Sequence, residues 1–198
     1  MKIPNSCLEW IKLQRSGYKN TEKEFQLNMQ KEYVLMMQYL PEKCNSILDI
    51  GCGIGGIDVI LYHHFGNPAL YLLDNSKVSS QILYGFDRGE SFYNSFQATK
   101  DLMDANAVKN YMLIDSSEEL PDLKNIDLVL SILSWGYHYP IGTYLSYVDS
   151  VLSENGTLIM DIREWTDGVE EVKQVFPFVK EVSHYNKSKR IAARRTEW

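Results

Sequence analysis

The residues able to do chemistry in this sequence are three aspartates, a run of glycines and one histidine. The segment ILDIGCGIGG, residues 47–56, places Asp49 two positions before Gly51 and spaces Gly51, Gly53 and Gly55 at every second residue. Glycines so placed after an apolar run let the backbone turn sharply and let a ligand reach main-chain atoms with no Cβ in the way. Asp74 follows about 20 residues later, at the end of a second apolar run, where a carboxylate can take both hydroxyls of a ribose. Asp115, with Ser116 after it, closes a third such run and can accept protons from an exocyclic amine. His138 lies in SWGYHYP, residues 134–140, and an ordinary imidazole pKa of ~6.5 suits a general base.

The glycines alone leave the ligand open, because Gly51, Gly53 and Gly56 also satisfy GxGxxG and so fit a dinucleotide. Asp49 argues for a ligand with a cationic amino-acid end such as S-adenosylmethionine, since its charge would repel a pyrophosphate. His138 has two readings, as the base that takes an acceptor hydroxyl proton or as a loop-shaping residue. His63 and His64 are adjacent but lack a carboxylate cluster at metal-ligand spacing, so a solvated helix end is expected and no metal.

The elements that must position these residues follow from periodicity. Apolar positions recur at helical spacing from about residue 8 to 40, interrupted at residues 15–20, and Pro41 closes that region. Strands are expected at residues 46–50, 69–74, 110–115, 126–133 and 156–162, with helices over 54–65, 77–107 and 144–152 between them. Near-continuous apolar strands belong in a parallel sheet buried on both faces. Residues 178–184 and 190–196 alternate apolar with polar around Asn186, Lys187 and Ser188, which predicts a closing antiparallel hairpin. The fold class is therefore α/β: a doubly wound, Rossmann-like seven-stranded sheet of five parallel strands plus the hairpin, with a helical N-terminal extension. One domain is expected over residues 1–198, with residues 1–45 as a helical lid and 46–198 as the core.

A net charge of −6 argues against a general polyanion surface, so no nucleic-acid partner is expected. The basic cluster Lys187, Lys189, Arg190, Arg194 and Arg195 reads as solvated charge on an edge hairpin. Three cysteines, Cys7, Cys44 and Cys52, suggest neither a disulfide framework nor a zinc site, and a reducing cytoplasm fits best. No run approaches the ~18 apolar residues of a membrane span, and no signal core is visible at the N-terminus.

From residue 47 to about 196 the chain resembles the class I, Rossmann-like S-adenosylmethionine-dependent methyltransferase superfamily. ILDIGCGIGG resembles its glycine-rich motif, YLLDNS its ribose-binding acid, LIDSS its adenine-contacting acid, and IDLVLSILSWGYHY and LSENGTLIMDI its fourth- and fifth-strand motifs. The resemblance implies that Asp49, Gly51, Cys52, Gly53, Asp74, Asn75, Asp115, Ser116 and Ser131 bind the cofactor, which leaves as S-adenosylhomocysteine. It places the reactive methyl near the fourth strand's end, so Trp135, Tyr137 and Tyr139 are expected to face the acceptor. Helices before the first strand close over the site in similar enzymes, which brings in Trp10, Arg15, Tyr18, Phe25 and Tyr33; packing on the sheet edge is the other reading of their apolar members. Arg163 has two readings, as a contact to an anionic acceptor group or as a salt-bridge partner. The stretches FYNSFQATKDLMDANAV and SWGYHYPIGTYL resemble sugar O-methyltransferases, so the expected acceptor is a small molecule or carbohydrate, methylated at oxygen.

Overall fold

A computed structural model describes residues 1–14, 20–77, 94–185 and 187–198. Seven strands form one sheet: β1 (Ser46–Ile50), β2 (Ala69–Asp74), β3 (Tyr111–Asp115), β4 (Ile126–Ser131), β5 (Leu152–Arg163), β6 (Phe178–Tyr185) and β7 (Ser188–Arg194). Their order is β3-β2-β1-β4-β5-β7-β6, with β1 to β5 parallel and the last two antiparallel. The order reverses between β2 and β4 on either side of β1, and ligands of open α/β sheets bind at such switch points beyond the strands' carboxyl ends.

Strands apolar on both sides need cover on both faces. On one face Ile47, Leu70, Leu72, Leu128 and Leu130 pack under α1 (Asn5–Gln14), α2 (Thr21–Met36), α3 (Gly56–His64) and α4 (Phe96–Ala105). On the other, Leu48, Leu73, Val129, Leu158 and Met160 pack against α5 (Leu145–Val151) and α6 (Gly168–Val175). Cys7, Ile11, Phe25 and Met29 of the first two helices belong to the first core.

Several boundaries differ from the sequence reading, each for a local reason. α3 starts at Gly56 rather than residue 54 because Gly55 is left-handed at φ 82° and ends the bend. Of the long helix expected over 77–107, the described part is α4, which Ser95 starts by accepting from the Ala98 N–H; residues 78–93 lie outside the described residues. β4 stops at Ser131, because Leu133 turns left-handed at φ 53°. β5 begins at Leu152, earlier than expected. α6 was not anticipated, yet Val169, Val172 and Phe176 recur at helical spacing and pack on the sheet. The crossover from β3 to β4 contains no helix, and Leu120 and Leu123 alone pack there.

The basic hairpin also needs correction. β6 is the edge strand, whereas β7 runs between β5 and β6. Arg190 is only 5% exposed, so it is not solvated edge charge.

Candidate functional site

The strand ends of β1, β2 and β4 meet at the glycine bend. The N–H groups of Gly51 and Cys52 both donate to the carbonyl of Leu73, at 2.7 and 3.2 Å, which ties the bend to the last turn of β2. Gly51 sits at φ 80°, and a Cβ on it would collide with the Ser134 side chain. Glycine is therefore required twice over, by conformation and because the loop after β4 rests on it.

Gly53 joins four more segments. Its N–H donates to Asp74 Oδ2 at 2.7 Å, and its carbonyl accepts from Asn94 Nδ2 at 2.8 Å and Thr99 Oγ1 at 3.2 Å. The Gln14 carboxamide, at the end of α1, lies against it and donates to Asn94 Oδ1. An N-terminal helix thus reaches the bend. Tyr18 and Arg15, expected in the same lid, lie outside the described residues.

Register brings the acids together. Asp74 pairs with Asp115 across β2 and β3, and Asp49 stands one strand over, opposite Leu72. Asp74 is pre-oriented: Oδ1 takes the Asn75 N–H at 2.6 Å while Oδ2 takes that of Gly53. Burial pushes its carboxyl up to about 6, against the pull of those two N–H groups. Asp49 is 2% exposed, and burial followed by the neighbouring Asp58 raises it well above the usual carboxylate range. Asp115 is held below that range by the hydroxyl and N–H of Ser117, at 2.7 and 2.9 Å. Ser116 donates its N–H to the Asp74 carbonyl and its hydroxyl receives Asn75 Nδ2 at 3.4 Å. Beyond Asp115 a crevice of about 670 Å3 runs between α4 and β3, past Phe96, Lys100, Tyr111 and Leu113. The structure thus gathers Asp49, Gly51, Cys52, Gly53, Asp74, Asn75, Asp115 and Ser116 at neighbouring strand ends.

Ser131 and Trp135 take other places. The Ser131 hydroxyl is fully buried, donating to Ile50 O at 2.9 Å and accepting from Trp135 N at 2.8 Å, so it joins β4 to β1 behind the bend. Trp135 is 0% exposed, with its indole donating to Ile141 O at 2.9 Å within the second core. It shapes the loop from inside and does not face an acceptor. Tyr137, His138 and Tyr139 are partly exposed on that loop. The His138 N–H donates to Ser134 O at 2.7 Å, and its ring meets Tyr137 edge-on at 4.9 Å. Arg163 donates from Nε to Tyr137 O at 2.9 Å, and its guanidinium lies 4.4 Å from that ring's centre. It packs on an aromatic in this structure.

The loop has an anchor that sequence reasoning missed. Arg190 of β7 makes two 2.8 Å bonds to Asp161 of β5 and a third to Glu32 of α2. Asp161 in turn accepts the Leu133 N–H at 3.0 Å, fixing the left-handed residue at which the loop leaves β4. Ser134, Asn94, Thr99 and Gln14 were missed as well. Ser134 stands next to the quoted SWGYHYP aromatics, but the other three come from distant segments whose convergence no local spacing announces.

His63 and His64 close α3, where they bond the Asn106 carbonyl and the Tyr33 hydroxyl at 2.9 and 3.0 Å. Among the described residues no group of three or more His, Cys, Asp or Glu side chains is placed to hold a metal ion, and no helix is long and apolar enough to cross a membrane. Cys7, Cys44 and Cys52 are free and buried.

The sequence matches no protein-family model and no curated protein. The fold does find relatives. A precorrin-6y C5,15-methyltransferase from Geobacter metallireducens GS-15 superposes with a TM-score of 0.60 at 16% identity, over 84% of this chain and 89% of that one. TYW2 of M. jannaschii, solved in complex with AdoMet, gives 0.54 at 13% identity, over 91% and 77%. A methyltransferase from Pyrococcus furiosus gives 0.55 at 12% identity, over 84% and 82%. These likenesses show that the chain has the fold of class I S-adenosylmethionine-dependent methyltransferases.

Proposed function

We propose that this protein is an S-adenosylmethionine-dependent methyltransferase that acts on a small hydroxyl-bearing acceptor, a carbohydrate among them. The observation that supports it most is the convergence of three carboxylates, from β1, β2 and β3, on one glycine bend at the sheet's switch point. The residues fit the cofactor's parts. Asp49 keeps one buried oxygen without a donor, suited to an ammonium group. Asp74 is aimed by two N–H groups toward ribose hydroxyls, and Asp115 with Ser116 stands where an adenine amine would be met. When bound, S-adenosylmethionine supplies an electrophilic methyl group on sulfur.

The chain's own work is then positioning and proton removal. Ser134, resting on Gly51, brings the loop after β4 to the cofactor's edge. His138 takes the acceptor's hydroxyl proton, and Tyr137 and Tyr139 orient that hydroxyl, with Arg163 bracing Tyr137. A net charge of −6 disfavours polyanionic acceptors and supports a small one.

Titration with S-adenosylhomocysteine, followed by product formation across hydroxyl and amine acceptors, tests the reading. Binding without turnover on any acceptor would reduce the protein to a cofactor-binding module. Preference for a nicotinamide dinucleotide would overturn the assignment, and Asp49 argues against it. His138→Ala is expected to lower turnover by about 10²–10⁴-fold with cofactor affinity intact; unchanged turnover rejects the base.

A further inference from the structure

Beneath the glycine bend lies a carboxylate that methyl transfer leaves unused. Asp58, in the first turn of α3, is 0% exposed, and its carboxyl lies within hydrogen-bonding reach of that of Asp49. Asp49 Oδ1 and both oxygens of Asp58 are buried, and no N–H or hydroxyl of the described residues donates to them. Among the described residues the surrounding elements bring no counter-charge. β2 contributes Asp74, a third acid, and the bend contributes Cys52, a thiol that burial and the same acids keep protonated. α4 places Thr99 and Met103 beside Asp58 at Gly55, while α2 packs Phe25 and Met29 on Gly56 and α1 lays Gln14 on Gly53. Lys77 acts on Asp115, one strand farther out.

Two buried carboxylates in contact with no cation between them cannot both ionise cheaply; the favourable state holds a proton between them. Burial raises Asp58 to about 7 and Asp49 well above the usual carboxylate range, so the pair still holds a proton at neutral pH. An acid cluster kept short of cations, under a bend built for close approach, is suited to a ligand that carries its own positive charge.

We propose that Asp58 is a positioning residue that makes the cofactor's amino-acid end proton-coupled: in the empty protein it shares one proton with Asp49, and that proton passes to solvent as the ligand's ammonium group takes up the Asp49 carboxylate. This rests on the site's being one for S-adenosylmethionine. Proton and ammonium compete for one buried carboxylate, so affinity rises with pH, by up to about tenfold per unit where a full proton is released. Replacing Asp58 by asparagine removes the neighbour that shares the proton and leaves burial as the main cause raising Asp49, so Asp49 ionises at lower pH and gives up less proton to the ligand.

The test is calorimetric titration of the full chain with S-adenosylhomocysteine at pH 6, 7 and 8, each in two buffers of different ionisation enthalpy. The control ligand is 5′-methylthioadenosine, which lacks the ammonium but still engages Asp74. We expect S-adenosylhomocysteine to release more protons than the control, and its affinity to fall several-fold from pH 7 to 6. In Asp58→Asn the excess release shrinks and the pH slope flattens while binding persists. Equal release by both ligands, or an unchanged slope in the variant, overturns the coupling while leaving the function standing. Absence of binding at every pH overturns the function and the coupling with it. Should the variant not fold, infrared difference spectra of the wild-type protein decide: the protonated-carboxyl stretch must weaken on adding S-adenosylhomocysteine and not on adding the control, and no such difference refutes the proposal.

Discussion

Two buried acid clusters flank the central strands, and the protein treats them in opposite ways. Asp161 faces the guanidinium of Arg190 through two 2.8 Å bonds, with Glu32 on the same cation, so one buried cation serves both carboxylates. Among the described residues, Asp49 and Asp58 face each other with no cation and with three oxygens lacking a donor. The first arrangement closes a structure; the second holds one open for something to arrive. Burial of an acid therefore says little about its role until its counter-charge has been found.

Substitution can break that contrast. The largest effect is expected from Arg190→Met, which takes the cation from buried Asp161 and part-buried Glu32 and releases the loop after β4; stability should fall by about 3–5 kcal/mol in thermal or denaturant unfolding. Gly51→Ala comes next, because a left-handed φ and the collision with Ser134 oppose any side chain there. S-adenosylhomocysteine affinity should drop by about a hundredfold, equivalent to about 2.7 kcal/mol. Asp58→Asn should act in the reverse sense and stabilise the empty protein. Asp58 is raised when folded, so its stabilising effect is full below its unfolded pKa and is lost as pH rises through about 7. The variant's advantage is therefore absent near pH 4, grows toward neutrality and levels off above, at about 1–3 kcal/mol. Melting curves at pH 4, 6 and 8 read it directly, and an equal loss of stability in Asp58→Asn and Asp161→Asn at pH 8 would erase the contrast. The smallest effect, about 1 kcal/mol, is expected from Ser131→Ala, which removes hydrogen bonds joining Ile50 to Trp135.

What could be read in advance follows the same division. The glycine bend, the acids ending three strands and the closing hairpin are local signals, fixed by φ preference and by the period of apolar residues, and the sheet places them as expected. Asp58 was hidden because an acid in a helix's first turn is ordinarily a response to the helix dipole. Arg190 looked like surface charge because its strand alternates, yet β7 has β5 on one side and β6 on the other. Trp135 adjoins the aromatics taken to face an acceptor, and only the tertiary fold shows its indole donating to Ile141 O. Gln14, Asn94 and Thr99 converge from three segments, which spacing along a chain does not encode.

The insertion of β7 between its neighbours has a consequence for biosynthesis. During translation β1 to β5, and with them the acids of the glycine bend, emerge well before Arg190. Until then the loop bearing His138 lacks its distant clamp. Its fixed conformation is then completed late, when the strand carrying that arginine slots into the sheet.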